Sequence, residues 1–418
     1  MAVAMGVGRP AAPESQILIA QLADDSFAVR ERAQQELIET GEALVESIKA
    51  ALAISTDEEQ RQRLDSILKQ ISEDAVLGAS RITLSMRDAP LDEVVAEINR
   101  QVRGAPVRYA RDNWNKLPGP RVTLEARRQP LWAVLREICT QVGTLDISPG
   151  DDGVRLSLGC GALSRAPASV SGPMLIVASR IAHQKTVELA QGLHRTSDFA
   201  VHFTAIAEPK LKVMPGAATV RLKSALDDLG NNMLPQGHVD ETYGGGSPFW
   251  SFQSKLAYPA TPGRVIQRIS GEITFNAASR FETIELTDWI NQRGSFERFG
   301  DFDFVIQRVT ALGDSRYEVT VAAVAPANDP DAYNRLQQVL YAADLRVFDA
   351  QGRAIFRTAG PSFAPTDRSN LIEMTSIFDR SISDGRPAPG EASTIAWRVP
   401  VETRLITVPF ELNNLPMP

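Results

Sequence analysis

The chain has 418 residues, of which 43% are hydrophobic and 23% charged, and its formal net charge is −7. This length exceeds what one hydrophobic core of ordinary size accommodates, so two to four domains are expected. An acidic chain without a basic stripe argues against nucleic-acid binding. Every apolar run stops before the roughly 18 residues that span a bilayer. The sequence indicates a folded multidomain protein that binds no nucleic acid and is not integral to a membrane.

Two kinds of segment are predicted in the first 76 residues. Residues 1–14 carry neither a positive leader nor a long apolar centre, so we expect a disordered tail or the remnant of a signal peptide. Residues 15–76 are predicted to be helical hairpins, because apolar residues recur at spacings of three and four. Thr56 and Glu59 are expected to form a capping box. The segment LADDSFAVRERAQQELIETG is similar to a HEAT-type unit, but a solenoid needs about three units. A short helical cap is therefore favoured over an extended binding array.

The stretch from Arg81 to Gly143 contains one pattern twice. RITLSMRDAPLDEVVAEINRQVR is followed, forty residues further on, by RVTLEARRQPLWAVLREICTQVG, and eleven positions are identical. In each copy an alternating strand precedes Pro-Leu and an amphipathic helix, with Pro90 expected at the first helical position. Residues 80–159 are therefore predicted to form a small duplicated βαβ-type domain of α+β class, with two helices on one side of a sheet.

These residues are similar to a known family. The order of strand, polar turn, Pro-Leu, helix and strand in ITLSMRDAPLDEVVAEI, VTLEARRQPLWAVLREI and GVRLSL resembles the secretin and TonB N-terminus short domain and the related secretin N-domains. The resemblance covers only this part of the chain. It implies a non-catalytic docking module in the periplasm or cell envelope of a bacterium. Neither a secretin barrel nor a receptor barrel is recognised in the sequence, so the outer-membrane roles of these families are not implied.

The remainder of the chain is predicted to be rich in strands. Residues 160–172 are small, polar and proline-bearing, which predicts an interdomain linker. Beyond them the periodicity changes to two, which favours immunoglobulin-like β-sandwiches. A junction near Pro259 to Gly263 divides this region into residues 173–260 and 261–418, which form either two sandwiches or one extended sandwich. LDDLGNN and FDAQGRA are expected to be similar hairpin turns, with Asp and Gly where φ is positive. The fold class is thus multidomain, α+β and all-β.

No motif specifies a cofactor or a metal. Four histidines lie in the strand-rich half: His183, His194, His202 and His238. None has the spacing of a zinc site, so neither a metal nor a cofactor is expected. The sequence has two cysteines, Cys139 and Cys160. Either they form a disulfide, which would contribute on the order of 3 kcal/mol, or Cys139 is a free thiol buried on a helix.

Two acidic groups have a structural and a chemical interpretation. Asp301 and Asp303 are predicted to share one face of a strand, either as solvated residues or as the paired carboxylates of a glycosidase. The second group comprises Asp227, Asp228, Asn231 and Asn232. These residues offer oxygen ligands to calcium but lack the full spacing of a calcium loop, and a β-turn explains them equally well.

The two copies of the repeat differ most informatively at one helix position, Asp92 in the first copy and Trp132 in the second. Trp132 follows Arg127 and Arg128, and the preceding loop carries Trp114. Indoles beside arginines are typical of protein-contact surfaces. We therefore interpret these four residues as a candidate protein-contact patch. The alternative is that the rings pack against the N-terminal helices or the sheet edge.

The sequence and the resemblance together predict a non-enzymatic docking or scaffolding component of the bacterial cell envelope, with a protein partner. A cytoplasmic location is the alternative, and the sequence does not give the oligomeric state. A different function, binding of carbohydrate or surface polymer through the sandwiches, predicts that Phe249, Trp250 and Trp289 are exposed on one face. A hydrolase that uses Asp301 is a further alternative.

Overall fold

A computed structural model describes most of the chain. The described residues are 12–102, 106–110, 119–150, 153–159, 165–188, 194–235, 240–244, 249–287, 294, 296–327, 329–364, 370–381 and 388–418. They form a mixed α+β protein in which strands predominate. The chain divides into two compact units, Met1–Ser80 and Arg81–Pro418.

The first unit is helical. Its elements are α1 (Ala12–Gln21), α2 (Phe27–Thr40), a 3₁₀ turn (Gly41–Leu44), α3 (Val45–Ile54) and α4 (Glu58–Leu77). Helix α1 contacts α2 and α3, and α4 contacts α3 and α2, so two helix pairs stack on each other. Eight apolar side chains form the core between them: Leu22, Ala33, Leu37, Leu44, Ile48, Leu64, Ile67 and Ile71.

Two local expectations for this unit were wrong. Helix α1 begins at Ala12, inside the segment predicted to be a tail. Asp57, not Thr56, caps helix α4, and its carboxylate accepts hydrogen bonds from the backbone N–H groups of Glu59 and Gln60 at 2.9 and 3.2 Å. A carboxylate one residue nearer the helix satisfies the free N–H groups that the capping box was expected to satisfy.

The duplicated segment forms a module with two sheets. Its elements are β1 (Arg81–Pro90), α5 (Leu91–Gln101), β2 (Val107–Ala110), β3 (Arg121–Pro130), α6 (Leu131–Val142), β4 (Leu145–Gly150) and β5 (Gly153–Leu158). Strands β1 and β3 pair with each other, and β5 lies between β2 and β4. Helix α5 contacts β1 and β2, and helix α6 contacts β3, β4 and, less extensively, β1. The single sheet that we predicted is therefore wrong, because the two repeat strands pair only with each other. Pro90 and Pro130 immediately precede their helices.

Within the described residues, the rest of the second unit consists mainly of three antiparallel sheets and one long helix. Its elements are β6 (Ala168–Ser171), β7 (Met174–Glu188), β8 (His194–Ala207), β9 (Gly216–Asp227), β10 (Asp240–Gly244), β11 (Phe249–Leu256), β12 (Val265–Thr287), β13 (Glu297–Phe299), β14 (Phe302–Leu312), β15 (Arg316–Val324), α7 (Pro330–Ala342), β16 (Asp344–Asp349), β17 (Phe356–Ala364), β18 (Leu371–Asp379) and β19 (Ala392–Pro416). The strand orders are β11-β8-β7-β6, β13-β14-β15-β18-β17 and β10-β9-β12-β19-β16.

The third of these sheets, which we call the shared sheet, belongs to two cores. Phe410 of β19 lies 5.7 Å from Phe203 of the β7–β8 sheet, measured between ring centroids. Trp397, near the start of β19, lies 5.5 Å from Phe304 of the β14–β15 sheet. Strands β12 and β19 therefore pass from one core into the other, in opposite directions. Strand β9 pairs with β12 across residues 260 and 261, so the predicted junction does not separate two sheets.

The predicted linker is also part of the folded unit. Residues Ala168–Ser171 form strand β6, which pairs with β7. The hydroxyl of Ser169 accepts a hydrogen bond from the backbone N–H of Glu411 in β19 at 3.3 Å. Residues 160–164 lie outside the described part of the chain. The segment joining the module to the sandwiches is thus partly a sheet edge.

The two predicted hairpin turns are confirmed as equivalent structures. Gly230 and Gly352 have positive φ of 82° and 73°, whereas no aspartate of the two turns does, so that part of the prediction was wrong. Asp227 accepts hydrogen bonds from the N–H groups two and four residues later and from that of Gly263. Asp349 accepts the corresponding bonds, the last from Gly390. Because N–H groups surround the Asp227 carboxylate, the β-turn interpretation holds and calcium coordination is not supported.

Hydrogen bonding sets the protonation of Asp349. Burial disfavours its charged form, but the N–H groups of Gly390 and Arg353, the Arg353 guanidinium and the N–H of Gln351 outweigh burial and lower its pKa to about 2. The same opposition of burial and hydrogen bonds leaves the pKa of Asp227 lowered. Both turns therefore require ionised carboxylates.

These bonds predict an acid-sensitive fold. An aspartate is protonated near pH 4 in the unfolded chain, whereas Asp349 is protonated near pH 2 in the folded chain. The contribution of Asp349 to stability is therefore fully present above about pH 4 and is lost as the pH falls towards about 2. Asp349→Asn should lower the melting temperature at pH 6, and its deficit relative to wild type should shrink as the pH falls through this range. Asp314→Asn, at an exposed turn, is the control. A deficit independent of pH would contradict this assignment.

Candidate functional site

Strands β1 and β3 form a two-stranded ribbon with approximate two-fold symmetry, which we call the repeat ribbon. Arg81 pairs with Pro130, and Pro90 pairs with Arg121. Arg121 and Pro130 occupy the positions of Arg81 and Pro90 in the second copy, so each pair is the counterpart of the other. The ribbon has two equivalent ends. We call them the Arg128 end (residues 81–83 and 127–130) and the Asp88 end (residues 87–90 and 121–123).

Several identities between the copies are explained by one repeated hydrogen-bond network. The amide of Gln101 accepts from the backbone N–H of Thr83 at 2.8 Å and donates to its carbonyl at 2.9 Å. Gln141 makes the same two bonds to Thr123 at 3.0 and 2.7 Å. Each glutamine also donates to the glutamate one turn earlier in its helix. These side chains occupy the outward-facing backbone groups of the ribbon at one position on each edge.

Two bulge residues connect the copies. Asp88 and Arg128 have positive φ of 46° and 51°. The N–H of Asp88 donates to the hydroxyl of Thr123 at 3.0 Å, and the N–H of Arg128 donates to the hydroxyl of Thr83 at 3.1 Å. The backbone at both ends is therefore fixed by a side chain of the opposite copy.

The predicted contact patch is only partly present. Trp132 is completely buried, so it is not part of an exposed patch, and this expectation is corrected. Its Nε1 donates to the carbonyl of Pro173 at 3.0 Å. Its ring belongs to one core with Leu175, Val177 and Ile206 of the β7–β8 sheet. Helix α6 needs an apolar residue here because this face packs on the sandwich. Trp114 lies outside the described residues.

The arginines of the predicted patch are exposed. Arg127 is 88% exposed and lies 3.5 Å from Glu125, and Arg128 is also exposed. Arg81 lies at the same end of the ribbon and is exposed. The sequence pattern did not indicate Arg81 as part of this group, because only the pairing of β1 with β3 brings it close to Arg128.

The Asp88 end carries a different set of charges. Arg121 forms an ion pair with Asp88 at 3.0 Å, measured from Nε to Oδ1. Asp92 and Glu93 occupy the first turn of α5. The second copy has Trp132 and Ala133 at those positions, and no acidic residue lies in the first turn of α6. Equivalent ends of the ribbon therefore have different electrostatics.

The residues considered for catalysis do not form a site. Asp301 lies in the turn before β14 and Asp303 lies within that strand, so the expectation that both lie on one strand is wrong. His183 stacks on Tyr258 with ring centroids 3.8 Å apart. Burial and the neighbouring Arg180 lower the pKa of His202. The side chain of His194 and all of His238 lie outside the described part. No group of three or more metal-binding side chains occurs among the described residues.

The aromatic face expected for carbohydrate binding is not formed as predicted. Trp250 is only 4% exposed, and its ring makes an edge contact with Phe275 at 5.5 Å. Phe249, next to it on β11, is 48% exposed because successive strand residues face opposite sides. Trp289 lies outside the described residues. The expectation that these rings share one exposed face is therefore corrected at Trp250.

Cys139 is a free, buried thiol. Burial and the charge of Asp146 raise its pKa to about 12, against the opposing effect of Arg136. A thiol that stays protonated is a poor nucleophile and a poor metal ligand. Of the two alternatives for this cysteine, the buried free thiol is the one observed. Cys160 lies outside the described residues.

Comparison with models of known protein families and with curated proteins found no match to this chain. No helix in the described part of the chain combines the length and apolar character needed to cross a membrane.

The burial of Trp132 predicts a large difference between equivalent positions of the repeat. Trp132→Ala should lower the free energy of unfolding by about 3–5 kcal/mol, because it leaves a cavity in the core. Trp132→Phe keeps most of the packing and should cost about 1 kcal/mol through the lost hydrogen bond. Asp92→Ala, at the exposed equivalent position, should change it by less than about 0.5 kcal/mol. Urea unfolding followed by circular dichroism measures all three, and similar losses for Trp132→Ala and Asp92→Ala would refute the assignment.

The glutamine bonds predict a local effect on backbone exchange. Gln101→Ala should speed amide hydrogen exchange at Thr83 by about fivefold, the ratio for a hydrogen bond worth about 1 kcal/mol. Gln141→Ala should act in the same way on Thr123, but less strongly because Thr123 is exposed and Thr83 is half-buried. Gln129→Ala is the control on the same ribbon. Unchanged exchange at Thr83 in Gln101→Ala would show that the glutamine does not protect the edge.

Proposed function

We propose that this protein is a non-enzymatic docking or scaffolding component of the bacterial cell envelope, and that the repeat ribbon is its protein-contact surface. The observation that carries the proposal is the ribbon itself, which presents exposed arginines on a backbone fixed by hydrogen bonds between the copies. A backbone that is already fixed loses little conformational freedom on binding. Such a surface is suited to recognition.

Two further observations support this proposal. The module has the order strand, helix, strand twice over, followed by a last strand, as the resemblance to secretin N-domains implies. That resemblance is the basis for the envelope setting and for a non-catalytic role. The antiparallel sheets that face each other in the second unit support the proposal of immunoglobulin-like sandwiches. In this proposal the sandwiches are the support on which the module is mounted.

Site-specific crosslinking tests the contact surface. A photo-crosslinking amino acid is placed at Ser85 or at Gln129, two exposed ribbon positions that leave every arginine intact. The control position is Leu229, which is 62% exposed on a sandwich turn. In cells that make the protein, we expect one discrete protein adduct from the ribbon positions, in the envelope fraction, and none from Leu229.

Absence of an adduct from both ribbon positions would refute the contact surface. The same adduct from Leu229 would show that contact is not specific to the ribbon. An adduct found only in the cytoplasmic fraction would refute the envelope setting while leaving the contact surface intact.

A further inference from the structure

We propose that the Arg128 end of the repeat ribbon binds an acidic segment of a partner protein through arginine side chains, and not by addition of a strand to the ribbon edge. This inference rests on the proposed docking function and specifies the chemistry of the partner. It is carried by the difference in charge between two ends that are otherwise equivalent in backbone structure.

Three substitutions between the copies change charge in the same direction. Asp88 is replaced by Arg128, Asp92 by Trp132 and Glu93 by Ala133. All three positions lie at the bulge or in the first helical turn that follows it. The Arg128 end therefore brings together Arg81, Arg127 and Arg128 without the acidic residues of its counterpart.

Within the ribbon strands and the first helical turns, one difference runs in the opposite direction. Ser85 is replaced by Glu125, whose carboxylate lies 3.5 Å from Arg127. Ser85 and Glu125 pair with each other in the middle of the ribbon. Glu125 and Arg127 are both largely exposed, so their interaction is weak and screened by solvent. The Arg128 end remains basic in a chain whose net charge is −7.

The ribbon edges are poorly suited to strand addition. An added strand bonds to the outward N–H and C=O groups of an edge strand. At Thr83 and Thr123 the amides of Gln101 and Gln141 already occupy these groups. Recognition through side chains leaves these bonds intact. Guanidinium groups bind carboxylates in a paired, bidentate geometry, which favours aspartate and glutamate in the partner.

The repeat supplies matched variants for the test. Arg81→Glu with Arg127→Glu reverses two charges at the Arg128 end. Arg121→Glu with Arg87→Glu reverses the two equivalent charges at the Asp88 end. Both variants have the same net charge, and thermal unfolding shows whether each is folded. The probe is a fluorescein-labelled dodecapeptide of alternating Glu and Ser, and its binding to the full chain is followed by fluorescence anisotropy.

We expect the peptide to bind the wild-type chain at low ionic strength and to dissociate as salt is added, because exposed charges are screened beyond about 10 Å at 0.1 M. Reversal at the Arg128 end should weaken binding by at least about tenfold, which corresponds to 1.4 kcal/mol. Reversal at the Asp88 end should weaken it by less than about threefold, a smaller change on the same scale. Asp88→Arg should create a second basic end and raise the number of bound peptides per chain.

Other outcomes would overturn the inference. Equal weakening by the two double variants would mean that the peptide responds to net charge alone. No binding at low ionic strength would exclude an acidic segment, and binding of phosphatidylserine vesicles but not of the peptide would indicate a membrane surface instead. If Gln129 still crosslinks to a partner when Arg81 and Arg127 are reversed, the docking function stands and this inference fails.

Discussion

The pairing of β12 with β19 is the interaction on which the second unit depends. The two strands pair from Val265 with Pro416 to Thr287 with Thr394. Ile284 and Leu286 of β12 lie in the core next to the β14–β15 sheet, whereas Phe275 of the same strand contacts Trp250 of β11, in the β7–β8 sheet. Because both strands are continuous, the shared sheet contributes side chains to both cores. This explains why Arg81–Pro418 forms a single compact unit rather than separate domains.

Strand β8 connects the shared sheet to the module that carries the repeat ribbon. Phe203 of β8 faces the shared sheet, and Ile206 of the same strand belongs to the core that contains Trp132. Helix α6 buries a wider arc of side chains than α5, because it packs on the sandwich as well as on its own module. The position at which the two copies differ most thus serves as an internal anchor. Trp132 joins the module to the β7–β8 sheet through packing and one hydrogen bond.

Local sequence patterns predicted many helices and turns of this fold, but they did not predict which distant strands pair with each other. Helical periodicity within each copy of the repeat and the two turns with Gly230 and Gly352 depend on residues within a few positions of each other, and the structure has these helices and turns where they were expected. The pairing of β12 with β19 joins segments more than a hundred residues apart in sequence, and alternation of apolar residues does not name a strand's partner. Trp132 shows the same limit, since its hydrogen-bond partner Pro173 lies 41 residues away. The Arg128 end could not be predicted in full from the sequence, because only the pairing of β1 with β3 places Arg81 beside Arg128.

The identical and the differing positions of the repeat have different roles in the hydrogen bonds of the ribbon. The hydroxyl of Thr83 accepts a hydrogen bond from the N–H of Arg128 in the other copy, and the amide of Gln101 bonds to the backbone of Thr83, so substitution of either side chain removes a bond of the ribbon. Asp88 and Arg128 contribute their backbone N–H groups to this network, and the same bond forms at both residues although their side chains have opposite charge. The duplicated fold therefore fixes the threonines and glutamines and leaves the charge of each end free to differ.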